Sequence, residues 1–153
     1  MKSKNESLIS KHAKSFSWAG FFLPKKIFIK CSHLYDFCRT LDDIADGIED
    51  LEIKRKKFLS FKKDFSNKNF SNEIIKNIHI LIDDNNISDK IIYDLFDGVE
   101  TDLKDEVKIN SKKELIIYSY RVAGTVGLMM AKILNVKDHN SLISAADLGI
   151  AMQ

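Results

Sequence analysis

Apolar residues recur along this chain at intervals of three and four, and no long alternating stretch of the kind that predicts a β-strand is present. Pro24 is placed to begin a long helix and Gly47 to end it. A capping box, Ser111-Lys-Lys-Glu114, opens another helix. The pattern predicts an all-α fold of six helices, over residues 24–46, 51–65, 71–82, 88–107, 111–134 and from about 138 to the end.

A row of polar side chains follows one stripe of the first predicted helix. Tyr35, Arg39, Asp42 and Asp46 stand at positions i, i+4, i+7 and i+11, so at 100° per residue they lie on one narrow face. The stripe beside them is apolar and consists of Leu34, Cys38, Leu41 and Ala45. We therefore expect the polar row to face inward or into a cleft.

The chemistry of this row favours a metal–diphosphate site. Two carboxylates one turn apart, Asp42 and Asp46, repel each other by a few tenths of a kcal/mol, and burial without a cation costs more. Mg²⁺ takes oxygen ligands and keeps positions open for substrate phosphates. The fork-shaped guanidinium of Arg39 suits a phosphate. A solvated acidic helix face is the alternative interpretation, and the apolar flanks of the row weigh against it.

The helix that begins at Ser111 contains a strip with little side-chain volume. Ala123, Gly127 and Ala131 recur at every fourth residue, and Gly124 lies close to them. Each interior glycine costs about 0.5–1 kcal/mol relative to alanine, so two of them need a reason. Close packing of a neighbouring helix is one reason, and room for a long apolar ligand is the other. Tyr118 adds a polar handle to a neighbouring stripe of the same helix.

Length and composition describe an ordinary globular domain. The chain has 153 residues, of which 44% are apolar and 30% charged, and its net charge of +2 gives no general attraction to nucleic acid. No stretch approaches the roughly 20 apolar residues of a membrane span, and the N-terminus has no hydrophobic signal core. The histidines form no zinc pattern. Cys31 and Cys38 would lie about 10 Å apart on one helix, which fits reduced thiols in a cytosolic protein.

Taken in order, these segments resemble the squalene and phytoene synthase family, the head-to-head branch of the trans-isoprenyl diphosphate synthases, and most of all its bacterial phytoene synthases. Alanine replaces the first serine of the family's His-Ser-Lys-Ser-Phe element, and Val99 stands where the family often has methionine. The resemblance covers about residues 10–153. It rests on His12-Ala-Lys-Ser-Phe16, Tyr35-x-x-x-Arg39-x-x-Asp42-Asp-x-x-Asp46, Gly98-Val-Glu-Thr-Asp-Leu103, Tyr118-x-x-x-Val-Ala-Gly-Thr-Val-Gly127 and Leu148-Gly-Ile-Ala-Met-Gln153.

This resemblance implies an isoprenoid-synthase-type helical bundle around a deep apolar cavity, with residues 1–153 as the N-terminal part of a single domain. It also implies a reaction, the head-to-head condensation of two allylic prenyl diphosphates through a cyclopropylcarbinyl diphosphate. The product would be phytoene from geranylgeranyl diphosphate or squalene from farnesyl diphosphate. The cofactor would be Mg²⁺, with NADPH needed only for squalene.

The resemblance also assigns roles to individual residues. Asp42 and Asp46 would bind Mg²⁺, and Tyr118 would lie near the reacting carbons. The residues expected to hold diphosphate or substrate are His12, Lys14, Ser15, Tyr35, Arg39 and Gln153.

One departure from the family concerns a second acidic motif, which in the family follows the element that ends here at Gln153. We therefore expect a bundle truncated before that motif, with activity belonging to the complete protein. The expected partners are a prenyl diphosphate and a complementing C-terminal fragment, with no nucleic acid. The expected location is the cytoplasm, with peripheral association at the inner membrane surface.

The alternative function is a non-catalytic helical module that binds prenyl diphosphate or a partner subunit. A head-to-tail prenyltransferase or terpene cyclase fragment fits the Tyr35–Arg39 spacing and the Val-Ala-Gly segment less well.

Overall fold

The computed structural model describes residues 22–153, and this part of the chain consists of helices and their connections without a strand. His12, Lys14 and Ser15 lie outside the described residues. The predicted all-α fold is thereby confirmed for the described part. The helices are α1 (Lys25–Ala45), α2 (Leu51–Ser66), α3 (Glu73–Asn85), α4 (Asp89–Asp102), α5 (Lys112–Ser119), a π-helical turn (Tyr120–Gly124), α6 (Thr125–Ile133) and α7 (His139–Met152).

Phenylalanine rings form the centre of the main core. Phe37 of α1 is fully buried, and its ring centroid lies 5.8 Å from that of Phe61, 6.1 Å from that of Phe65 and 5.9 Å from that of Phe96. Edge-on and tilted pairs at such distances are the favourable arrangements of aromatic rings. Helices α1, α2 and α4 are joined here, and the isoleucines of α3 pack around the same cluster.

Side-chain caps fix where several helices begin. The Asn72 side chain accepts hydrogen bonds from two backbone amides of α3, and Ser88 and Asp138 accept them at the starts of α4 and α7. The predicted capping box is present, since Ser111 Oγ accepts from the Glu114 amide at 3.2 Å. The Glu114 carboxylate reaches one residue further back than the usual box and accepts from the Asn110 amide.

The fourth helix ends earlier than its sequence predicted. We expected it to reach Val107, but α4 ends at Asp102 with Leu103 as its C-cap. Arg55 Nε on α2 donates a hydrogen bond to the Leu103 carbonyl at 2.8 Å, and Arg55 Nη2 pairs with Asp105 at 3.1 Å. These contacts satisfy an end carbonyl that would otherwise lack a partner, so the chain can leave the helix there.

The fifth predicted helix is interrupted by the π-helical turn between α5 and α6. The Thr125 amide donates to the Tyr120 carbonyl, five residues back instead of four. Such single turns contain one residue more than the α-helix and are frequent at functional sites.

Glycines let α7 lie against the π turn and α6. A β-carbon added at Gly127 would collide with the Ala145 carbonyl oxygen, and one added at Gly149 would collide with the Ala123 carbonyl oxygen. Gly127, one of the two glycines considered above, therefore serves close packing, which was the first of the two explanations, and Gly149 serves it from the other helix.

Within residues 22–153, no helix is both long enough and apolar enough to cross a membrane.

Candidate functional site

The predicted polar row lies along one wall of a cavity of about 700 Å³. Tyr35, Arg39 and Asp42 reach this wall from α1, and Asp46 reaches it from the C-cap of that helix. The spacing derived from the sequence thus places all four side chains at the same concave surface. Leu41 also reaches this wall, although most of its side chain is buried in the core.

The facing walls come from the end of α4, from the helix that contains the π turn, and from α7. Most of their side chains are small or apolar, so the cavity combines an acidic edge with an apolar interior. Gln153, a predicted substrate contact, also lies on this lining. The facing residues are Leu95, Val99, Asp102, Tyr118, Val122, Ala123, Val126, Gly127, Met130, Ala145, Leu148, Gly149, Met152 and Gln153.

Negative charge accumulates at the acidic edge. The cavity wall removes part of the hydration of Asp42, and this desolvation, followed by the charge of Asp46, raises the pKa of the Asp42 carboxyl group above its usual value. Desolvation also raises the pKa of Asp102, and the Asp46 charge adds to that rise. Asp42 and Asp102 are therefore harder to ionise than in water, and a cation bound at this edge would relieve the repulsion.

Arg39, a member of the row, forms an ion pair with Asp43, which does not line the cavity. Its Nη2 pairs with Asp43 Oδ1 at 2.6 Å, and this hydrogen bond raises the pKa of the guanidinium group. Its Nε is buried and finds no hydrogen-bond acceptor among residues 22–153. A buried donor without a partner is costly, so an anion that reaches Arg39 would satisfy an unmet hydrogen bond.

Tyr118 and Asp102 form a direct contact across the cavity wall. The Tyr118 hydroxyl donates to Asp102 Oδ1 at 2.8 Å. Burial, followed by this hydrogen bond, raises the pKa of Tyr118 to about 12, so the phenol keeps its proton at neutral pH. Sequence reasoning did not select Asp102 as a site residue. Asp102 lies in the Gly98–Leu103 element on which the family resemblance rests, and this element was the one sequence feature that could have indicated it.

The two cysteines are free thiols, as the sequence predicted. Cys38 lines the cavity next to Asp42, and burial, followed by the charge of Asp42, raises its pKa to about 12. Cys31 donates from Sγ towards Met130 Sδ at 3.5 Å. Neither thiol is activated as a nucleophile, because nucleophilic cysteines have lowered pKa values.

The carboxylates at the acidic edge fit a metal ion that takes only one or two ligands from the protein and the others from water and substrate. Among the residues that the structure describes, no group of three or more histidine, cysteine, aspartate or glutamate side chains could hold a metal ion. Asp42 and Asp46 therefore provide two carboxylates at most. Mg²⁺ is the divalent ion that commonly binds through one or two carboxylates, waters and substrate phosphates.

An all-helical bundle with an acidic row at the edge of an apolar cavity is the architecture expected of an isoprenoid synthase, and comparison with known proteins identifies the branch. The family model described as squalene/phytoene synthase matches residues 9–153, and the chain belongs to this family. The family resemblance seen in the sequence is confirmed.

Individual relatives agree with this assignment. The phytoene synthase of Cereibacter sphaeroides is 29% identical over 150 residues, an alignment that covers 91% of this chain and 42% of the relative. The squalene synthase from Alicyclobacillus acidocaldarius shares the fold, with a TM-score of 0.78 at 19% identity over 95% of this chain and 56% of that one. A dehydrosqualene synthase crystallised in complex with ligand gives a TM-score of 0.70 at 28% identity and covers 96% and 52%. The chain spans about half the length of the relatives it matches.

Proposed function

We propose that this chain forms the Mg²⁺- and diphosphate-binding wall of a head-to-head prenyl diphosphate synthase. Residues 1–153 would be the N-terminal part of a single isoprenoid synthase domain, and condensation would require the second acidic motif of the family in addition. The observation that carries this proposal is the acidic edge of Asp42 and Asp46 beside an apolar cavity of about 700 Å³. Membership of the squalene/phytoene synthase family supports the type of reaction.

Asp42 and Asp46 are the proposed Mg²⁺ ligands. The raised pKa of Asp42 fits this role, because the carboxylate is destabilised until a positive charge lies next to it. The ion would stabilise the negative charge that develops on a departing diphosphate.

Arg39 is proposed to bind diphosphate oxygens. Its guanidinium lines the cavity beside the aspartates, and its Nε lacks an acceptor among the described residues. To bind an anion, Arg39 would exchange part of its contact with Asp43 for a charge-assisted hydrogen bond. The proposed substrate contacts of Tyr35 and Gln153 fit the same lining, and those of His12, Lys14 and Ser15 concern residues outside the described part.

The apolar walls would protect the allylic cation that remains when the carbon–oxygen bond to diphosphate breaks. Val99, Val122, Val126 and Met130 carry no group that could attack a carbocation through oxygen or nitrogen, and their apolar surface offers water no hydrogen-bond partner. The double bond of a second prenyl diphosphate could then attack the cation, and loss of a proton would close the ring of the cyclopropylcarbinyl diphosphate. Departure of the remaining diphosphate and rearrangement would give phytoene by loss of a further proton, or squalene where NADPH supplies a hydride.

A prenyl diphosphate is the proposed ligand, and the name of the dehydrosqualene synthase neighbour supports this class. A complementing C-terminal fragment that supplies the second acidic motif is the proposed protein partner. The proposed location is the cytoplasm, with peripheral association at the inner membrane surface, where long prenyl products would partition.

The decisive experiment is calorimetric titration of the purified chain with farnesyl and geranylgeranyl diphosphate, with and without Mg²⁺. We expect weak, Mg²⁺-dependent binding and no release of pyrophosphate above background. Asp42→Ala and Asp46→Ala should each abolish the Mg²⁺-dependent part while the helical circular dichroism stays unchanged. Asp83→Ala, which removes an exposed carboxylate from α3, is the matched control and should bind like the wild type.

Two results would contradict the proposal. Binding that is equally strong without Mg²⁺, or unchanged in both cavity variants, would exclude the metal role of the row. Release of pyrophosphate together with a C30 or C40 hydrocarbon would show that the second acidic motif is not required.

A further inference from the structure

The contact between Tyr118 and Asp102 joins two segments that are 16 residues apart in sequence. Asp102 is the last residue of α4, and Tyr118 lies near the end of α5. Both side chains line the cavity close to the acidic row, since the charge of Asp46 acts on the Asp102 carboxyl group and on the Tyr118 phenol. The bond therefore fixes the phenol at the boundary between the charged edge and the apolar interior.

The position of Asp102 is unfavourable for a carboxylate unless it has a specific partner. The C-terminal end of a helix is negative, so a carboxylate there opposes the helix dipole. The nearby charge of Asp46 adds further repulsion. No lysine or arginine within residues 22–153 forms an ion pair with Asp102, and the Tyr118 hydroxyl is the group that stabilises its negative charge.

The π-helical turn supports the same placement of Tyr118. Tyr118, Val122, Val126 and Met130 all line the cavity at intervals of four residues. In an uninterrupted α-helix, 12 residues rotate by about 1200°, which would leave Tyr118 about 120° away from the face of Met130. The extra residue of the turn takes up this excess, so Tyr118 shares the wall with the apolar residues that follow it.

We propose that Asp102 is a positioning residue for Tyr118. By accepting the hydroxyl hydrogen bond, Asp102 directs the hydroxyl proton away from the ligand and keeps the phenol oxygen and ring at the cavity surface. This inference rests on the proposed function and deepens it. With its proton committed to Asp102, Tyr118 would act on a prenyl cation as a source of electron density rather than as an acid. The raised pKa of Tyr118 agrees, because it keeps the phenol neutral.

A second pair in the same helix provides a matched control. Tyr120 donates from its hydroxyl to Asp94 Oδ2 at 3.3 Å, also between the α5–π segment and α4. Neither residue lines the cavity. Substitutions in this pair therefore remove the same type of contact between the same helices without touching the proposed site, although Asp94→Ala also removes an ion pair with Lys90 on α4.

The test uses tyrosine labelled with ¹³C at Cζ, since the chain has only 4 tyrosines and each resonance can be assigned by a Tyr→Phe variant. Spectra of the wild type, Asp102→Asn, Asp102→Ala and the control Asp94→Ala are recorded before and after addition of farnesyl diphosphate with Mg²⁺. We expect Asp102→Asn, which keeps an acceptor oxygen, to retain the Tyr118 resonance near its wild-type position. Asp102→Ala should move it towards that of a solvated tyrosine, and Asp94→Ala should move only the Tyr120 resonance.

Addition of the ligand extends the comparison to function. Farnesyl diphosphate with Mg²⁺ should shift the Tyr118 resonance in the wild type and in Asp102→Asn, and not in Asp102→Ala. Affinity should fall about three- to tenfold in Asp102→Ala and equally in Tyr118→Phe, with no further loss in the double variant, because both remove one hydrogen bond. Tyr118→Phe also serves as the second variant if Asp102→Ala does not fold.

An unmoved Tyr118 resonance in Asp102→Ala would overturn the proposal. Loss of Mg²⁺-dependent binding in Asp102→Asn with the Tyr118 resonance retained would also overturn it and would make Asp102 a metal ligand instead. If the wild-type chain binds no farnesyl diphosphate, the proposed function fails, and the ligand-free spectra still decide whether Asp102 orients Tyr118.

Discussion

Helix α1 separates two regions that are built in opposite ways. One side of the helix contributes Phe37 to a core of aromatic rings, where the side chain is fully buried. The other side turns Arg39, Asp42 and Asp46 towards a cavity whose far walls are largely valine, alanine and glycine. The core gains stability by filling its volume, whereas the cavity side leaves volume empty and keeps like charges together. The difference shows that burial of apolar side chains favours folding mainly on one side of α1, while the other side keeps an open cavity with carboxylates at its edge.

The largest effect should come from emptying the core. Phe37→Ala should lower the free energy of unfolding by about 3–5 kcal/mol, because it removes a fully buried ring and leaves a void among Phe61, Phe65 and Phe96. Urea denaturation measures this loss. Phe70→Ala, at a ring that is 51% exposed, is the control and should cost much less. Equal losses in both variants would mean that the core does not dominate stability.

An intermediate effect should follow from filling the contact between α7 and the helix that contains the π turn. Gly127→Val places a branched side chain against the Ala145 backbone, whose carbonyl carbon would lie 3.0 Å from the new β-carbon. We expect a loss of about 1–3 kcal/mol as α7 is pushed outwards. Ser144→Val, at an exposed position of α7, controls for the helix propensity of valine. A Gly127→Val chain as stable as this control would contradict the close packing.

A smaller effect is expected at the cap that begins α5. Ser111→Ala removes the hydroxyl that accepts from the Glu114 amide and should cost about 1 kcal/mol. Hydrogen exchange should accelerate at Glu114 while the amides around Phe37 keep their protection, since the cap lies far from the core. Ser111→Asn keeps a capping oxygen and should behave like the wild type. Faster exchange both at Glu114 and at the amides around Phe37 would mean that the start of α5 and the aromatic core unfold together.

The smallest effect concerns the charge of Asp42. Its folded-state pKa lies above the unfolded value of about 3.9, so the folded protein binds more protons and loses stability as pH rises through that folded-state pKa. Asp42→Asn should therefore be a few tenths of a kcal/mol more stable than the wild type at pH 7 and no different at pH 3. Thermal unfolding at both pH values measures this, with the exposed Asp147→Asn as control. A variant less stable at pH 7 would reverse the assigned sign.

Local signals in the sequence account for most helix starts and for the polar row. Ser111 predicted a cap that the structure contains, the last helix begins close to the predicted residue 138, and the spacing of Asp42 and Asp46 predicted a shared wall. These features depend on residues within a few turns of one another. The functional roles of the row remain predictions, because shared geometry does not by itself identify a ligand.

The features that the sequence did not predict depend on contacts between distant residues. Helix α4 ends early because Arg55, 48 residues away, satisfies the Leu103 carbonyl. Asp102 gains its partner only when the chain folds back to bring Tyr118 to it. The π turn has no composition signal, because the fit of one long helix against several neighbours decides where an extra residue is accommodated.

The π turn has a genetic consequence, because it accommodates one extra residue while α5 and α6 keep the relative orientation of an uninterrupted helix that is one residue shorter. Deletion of a single residue between Tyr120 and Gly124 would leave a separation of about 11 residues between Tyr118 and Met130, a rotation of about 1100°, so both would still lie within about 20° of one face. A deletion within α1, which contains no such turn, would instead rotate one part of the helix by about 100° relative to the other. A library of single-residue deletions should therefore retain ligand binding more often at these five codons than at positions in the middle of α1.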